Sequence, residues 1–128
     1  MRILSGIDIV DNSKIKKLID KSVNSLTDIF SDREIRYCKA NRYPEQSFGV
    51  RFAAKEAIIK AVDSGILKCS LSEIEILNTH SGKPVVNLKD KRLVDRISRL
   101  LKTKNFDINV SLSHEKDYSI AQVIIYPS

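Results

Sequence analysis

The chain has 128 residues, 42% hydrophobic and 30% charged, with a net charge of +6. That fits one domain, 1–128, able to bury a core without metal or disulfide staples. Only Cys38 and Cys69 are present, with no CxxC and no Cys/His cluster, which argues against zinc and against a redox dithiol. No apolar run approaches the roughly 18 residues of a membrane span. The N-terminus has one basic residue and a short apolar stretch broken by Ser5, Gly6 and Asp8, so no signal peptide is expected. A cytoplasmic location with two free thiols is expected. The positive charge favours an acidic partner or ligand.

Residues 3 to 10, ILSGIDIV, predict a buried strand. Residues 13 to 23 predict a helix with apolar Ile15, Leu18 and Ile19 and basic Lys14, Lys16, Lys17 and Lys21. Ser31 and Glu34 form a capping-box pattern, so a helix of about ten residues follows. Residues 45 to about 63 predict the longest helix, apolar nearly all round and therefore central. Strands are predicted at 73 to 78 and 84 to 88, around a hairpin turn at His80 to Pro84. Residues 90 to 104 predict a basic amphipathic helix with Leu93, Val94, Ile97, Leu100 and Leu101 on one face. Residues 107 to 113 alternate strictly, Ile108, Val110 and Leu112 against Asn109, Ser111 and Ser113. Residues 119 to 126 predict a last, more buried strand. There are no repeats, and the mixture of hairpins and helices points to an α+β fold.

Asp8 is anomalous, a carboxylate in an apolar strand on the same face as Gly6. It fits a paired or metal-bound group, and equally an exposed edge-strand residue or a helix cap. In the long helix, Gly49, Ala53, Glu56 and Lys60 share one stripe at about 100° per residue. Small residues beside an acid and a base suggest a groove for a metal and a phosphate; the plainer alternative is a surface Glu–Lys pair. Arg51 lies well round the helix from Glu56, to reach another part of a ligand, a neighbouring subunit or a structural ion pair. His114 ends the alternating strand, where it can donate to a phosphate or stand as an exposed loop histidine. Gly82-Lys83-Pro84 permits positive φ and close backbone approach, or is only a turn. There is no P-loop and no GxGxxG.

Together these residues resemble the holo-[acyl-carrier-protein] synthases, small bacterial 4'-phosphopantetheinyl transferases. The resemblance runs in order through Gly6-Ile7-Asp8-Ile9-Val10, Phe30-Ser31-Asp32-Arg33-Glu34, Arg51-Phe52-Ala53-Ala54-Lys55-Glu56-Ala57 with Lys60-Ala61, Gly82-Lys83-Pro84, and Val110-Ser111-Leu112-Ser113-His114. It implies a small, mostly antiparallel sheet packed on a long central helix. It also implies Mg²⁺ on Asp8 and Glu56 in contact with the pyrophosphate of coenzyme A, the substrate. Lys60 would lie near that pyrophosphate, Arg51 and His114 near the phosphorylated adenosine end, and the Gly82-Lys83-Pro84 turn beside the nucleotide. A homotrimer with sites between subunits is implied, as is docking of an acyl carrier protein on the basic first helix through Lys14 and Lys21. Asp63 and Leu67 depart from the family's usual small residue and glycine.

The implied reaction is in-line attack by a carrier-protein serine on the β-phosphorus of coenzyme A, releasing 3',5'-ADP. The proton acceptor stays open between a metal-bound water, a carboxylate and none. Two other readings compete. One is a nucleic-acid-binding module, because residues 83 to 104 carry eight Lys/Arg against two Asp. Against it, the chain has four Tyr, four Phe and no Trp, with no aromatic run for base stacking, so neither nucleic acid nor membrane is expected as a partner. The other is a non-catalytic nucleotide-binding regulator on the same fold.

Overall fold

The computed structural model describes residues 2–21, 23–62 and 69–128. Asp63 and Leu67 lie outside them. The chain runs β1 (Leu4–Asp11), α1 (Asn12–Lys21), α2 (Val23–Ile29), α3 (Asp32–Lys39) and α4 (Pro44–Ala61). A 3₁₀ turn at Leu71–Glu73 leads to β2 (Ile74–Asn78), β3 (Pro84–Leu88), α5 (Lys91–Leu101), β4 (Phe106–His114) and β5 (Tyr118–Pro127). One antiparallel sheet has the order β1-β5-β4, and β2 and β3 form a separate hairpin. Helix α4 packs on β1 and β5, as expected of a long helix with apolar residues on most of its surface.

The α4–sheet layer supplies the main core, including Leu4, Ala53, Ala57, Ile58, Val123 and Ile125. A second cluster joins Ile15, Leu26, Phe30, Cys38 and Phe48, with the Phe30 and Phe48 ring centroids 4.8 Å apart. Each of these large side chains, fully buried, is worth about 1.5–3 kcal/mol. Helix ends follow local chemistry. Pro44 occupies the first turn of α4, where its missing N–H costs nothing. Asp90 caps α5 by accepting from the N–H groups of Arg92 (2.9 Å) and Leu93 (3.3 Å). Lys102 takes a left-handed φ of 57° and stops α5 at Leu101, three residues short of the expected 104.

Three expectations need correction. α2 was not foreseen; its sequence, VNSLTDI, has weak helix propensity, and packing of Leu26 in the second cluster stabilises it. β1 is buried on one face only, since Ile7 and Ile9 are 56% and 61% exposed. β5 alternates in the same way, leaving Tyr118 and Ile120 open to solvent. Ile9 and Ile120 are paired residues, so the outer sheet face carries an uncovered apolar strip.

Candidate active site

Gly6 brings β1 onto α4. A Cβ at Gly6 would stand 1.9 Å from the Ala57 carbonyl oxygen, a clash with backbone that cannot move aside. Two residues on and facing the same way, Asp8 is carried over the last turns of α4, its side chain only 15% exposed. Lys60 Nζ donates to Asp8 Oδ1 at 2.8 Å and to the Ile7 carbonyl at 3.2 Å. Burial first, and the charge of Asp8 second, push the Glu56 carboxyl above the usual range, while Lys60 pulls it back. Asp8 and Glu56 therefore share one electrostatic site, with Lys60 beside them. Gly6→Ala is expected to cost about 1–3 kcal/mol of stability, read as a lower urea midpoint; an unchanged midpoint would mean the strand can lift away freely.

The acid pair fits a hard divalent cation. Its donors are all oxygen, and repulsion between the carboxylates is what a bound cation relieves. No group of three or more His, Cys, Asp or Glu converges among the described residues. Two carboxylates are nevertheless the number Mg²⁺ commonly takes, with water and phosphate oxygens completing its shell.

The Gly49/Ala53 stripe has a different purpose from the expected groove. Both residues are buried. A Cβ at Gly49 would meet Asn12 Oδ1 at 2.5 Å and Ser119 Oγ at 2.6 Å, so the missing side chain admits a buried polar contact. Asn12 accepts from Ser119 Oγ at 2.7 Å and donates to the carbonyls of Glu115 (2.9 Å) and Lys116 (3.2 Å). It thereby ties the start of α1 to the β4–β5 turn.

Arg51, Gly82, Pro84 and His114 meet elsewhere, around a groove of about 630 Å³. Arg51 is only 3% exposed and stacks 4.5 Å over the Tyr37 ring. Its guanidinium donates to the Ile76 carbonyl, to Ser47 O and Oγ, and to Asn78 Oδ1. Two of these bonds pin α4 to β2 and two close on Ser47 within α4, with no ion pair among the described residues. Gly82 has φ 86° and open space around its missing Cβ, so the turn needs its backbone freedom and no close contact. Lys83 lines a second groove, between β3 and β4, and not the first. His114 Nδ1 lies 2.7 Å from Gln46 Oε1. Asp8, Glu56 and Lys60 do not line this groove, so one chain carries the two sets apart. Lys14 and Lys21 are exposed on α1, with Lys16 and Lys17.

The sequence reading assigned no role to Lys55, beside Glu56. It is fully buried and donates to Glu34 Oε1 (2.7 Å) and to the carbonyls of Ile74 (2.7 Å) and Leu71 (2.8 Å). Glu34 in turn accepts from the N–H groups of Ser31 and Ile76. Burial pushes the Lys55 ammonium pKa down and the charge of Glu34 opposes that. Nearby Glu75 is buried too, which pushes its carboxyl up. Hydrogen bonds from Arg33, Ser31, Lys89 and Asn87 outweigh this and hold it at about 2. The clue to Lys55 was a charge on a helix apolar over most of its surface, one turn on from Arg51, which is buried on the same side.

The profile of the 4'-phosphopantetheinyl transferase superfamily matches residues 5–123. The chain belongs to that superfamily. Over 132 residues it is 40% identical to the holo-[acyl-carrier-protein] synthase of Ruminiclostridium cellulolyticum, covering 98% of this chain and 92% of the relative. The same enzyme of Clostridium botulinum Type E3 is 38% identical over 120 residues, 94% of each chain. The crystal structure of the Helicobacter pylori holo-[acyl-carrier-protein] synthase in complex with coenzyme A superposes with a TM-score of 0.78 at 30% identity, over 95% of this chain and 99% of that one. Within the superfamily, these relatives put the chain among the holo-[acyl-carrier-protein] synthases.

Proposed function

We propose that the chain moves the 4'-phosphopantetheine group of coenzyme A to a serine of an apo acyl carrier protein in fatty acid biosynthesis, releasing 3',5'-ADP. The observation that carries this reading is the convergence of Asp8 and Glu56, with Lys60, where β1 crosses α4. Asp8 and Glu56 would hold Mg²⁺, which when bound supplies positive charge at the pyrophosphate of coenzyme A.

The serine oxygen forms the new O–P bond at the β-phosphorus. The pyrophosphate O–P bond breaks, its electron pair leaves with 3',5'-ADP, and the serine proton is released. No nucleophile is required of the enzyme. Lys60 is 57% exposed and its bond to Asp8 is a weak surface pair, so its ammonium is free to turn to a pyrophosphate oxygen. Arg51, His114, Gly82 and Pro84 would flank the nucleotide, Arg51 chiefly by keeping the groove in shape, while Lys83, on the second groove, is left out of that contact.

The separation of acid pair and groove on one chain supports sites built between copies in a homotrimer. The uncovered strip of Ile7, Ile9, Tyr118 and Ile120 supports the same arrangement, since burial in an interface would remove it from water. Exposed Lys14 and Lys21 on α1 would receive the acidic surface of the carrier protein. No described helix is long and apolar enough to cross a membrane, and Cys38 and Cys69 are free thiols. Action in the cytoplasm accords with both.

Intact-mass spectrometry tests the reading. An apo carrier protein incubated with the chain, Mg²⁺ and coenzyme A is expected to gain one phosphopantetheine arm on a serine. No gain on either fatty-acid or polyketide carriers would overturn the assignment. Sedimentation at micromolar concentration is expected to give three copies per particle.

A further inference from the structure

We propose that Gln46 is a positioning residue that sets the tautomer and heading of His114 for nucleotide binding. The inference rests on the proposed binding of coenzyme A in the groove. His114 is exposed at the end of β4, where a histidine ring would ordinarily turn freely. Here Nδ1 lies 2.7 Å from Gln46 Oε1. An amide oxygen only accepts, so Nδ1 carries the proton. The neutral ring then keeps its lone pair on Nε2, on the edge away from Gln46. A second proton turns Nε2–H into a donor with Nδ1–H already satisfied, and a phosphate oxygen is the acceptor that selects this form.

The contact is anchored at both ends. Gln46 is the third residue of α4, two after Pro44 at its start. His114 pairs with Ser119 across the β4–β5 ladder. Ser119 Oγ lies 3.5 Å from the Gln46 carbonyl and donates to buried Asn12 at 2.7 Å. The surroundings suit an anion. Arg42 and Arg51 line the same groove with Tyr37 and Tyr43, and among the described residues no carboxylate does. Glu115, the next residue, turns its carboxylate onto the N–H groups of Asp117 and Tyr118.

Two variants separate the acceptor role from mere packing. Gln46→Glu keeps an oxygen for Nδ1–H, and Gln46→Leu removes it. Two-bond ¹H–¹⁵N spectra of histidine-labelled protein read the tautomer of the neutral ring. The chain has two histidines, so His114→Asn assigns the signals. Nδ1–H is expected in the wild type and in Gln46→Glu, with a shift toward Nε2–H in Gln46→Leu. Added coenzyme A is expected to shift the Nε2 signal in the wild type. The KM for coenzyme A in Gln46→Leu should rise about tenfold, the worth of one hydrogen bond to a charged group, with a much smaller change in kcat. An Nε2–H ring in the free wild type, loss of Nδ1–H in Gln46→Glu, or a wild-type tautomer and KM in Gln46→Leu overturns the proposal. If coenzyme A fails to bind the wild type, the functional reading falls instead, and the free-protein spectra still decide the role of Gln46.

Discussion

Glu56→Gln is expected to lower transfer by about 10²–10³-fold, the loss typical of one preorganised electrostatic contact, while the chain stays folded. The substitution keeps the shape of the side chain and removes one of the two negative charges that converge at β1 and α4. Its effect on stability runs opposite to its effect on activity. Burial and the charge of Asp8 raise the Glu56 carboxyl pKa in the fold, so folding disfavours its ionised form. That penalty is absent below the ordinary carboxylate pKa and grows as pH rises toward the raised value. Without metal, Glu56→Gln should therefore melt at or above the wild type at neutral pH, with the gap closing in acid. Added Mg²⁺ should raise the wild-type midpoint and leave that of the variant in place. Thermal melts at two pH values, with and without Mg²⁺, give all four readings. Near-wild-type turnover would remove Glu56 from the site.

The sequence was most legible where one residue determines its own neighbourhood. The capping box at Ser31 and Glu34 forms as expected, since both partners lie within one turn. Asp8 stood out because an apolar strand seldom carries a bare carboxylate. What could not be read were contacts between distant segments. The second oxygen of Glu34 accepts from Ile76 N–H, 42 residues on, and no spacing announces that. The smallness of Gly49 reads equally as room for a ligand and as room for Asn12 and Ser119, which lie in other elements. Hydrophobic pattern also overstated the burial of β1 and β5. It reports which faces avoid water and not which are covered within one chain, so Ile7 and Ile9 were expected inside. α2 escaped because its helix depends on where Leu26 packs more than on its own residues.

Lys55→Met is expected to be the most destabilising single change among the described residues, at about 3–5 kcal/mol. The pair it breaks has no exposure on either side, and methionine leaves the Glu34 carboxylate buried without its counter-charge. It also leaves the Ile74 and Leu71 carbonyls without their donor. The double variant Glu34→Gln with Lys55→Met is expected to regain part of the loss. A neutral amide still offers an oxygen to Ser31 N–H while removing the unpaired charge. Urea midpoints of the two singles and the double close the cycle, and a double variant no more stable than Lys55→Met would mean that the carboxylate charge is not the main cost. The consequence reaches the active site because Lys55 and Glu56 are consecutive on α4. With Lys55 held inward on α3 and β2, the helix has one rotation, and in that rotation Glu56 stands toward Asp8. Partial loss of Mg²⁺ stabilisation in Lys55→Met, measured well below its melting point, is the expected sign that this buried pair sets the heading of the carboxylate beside it.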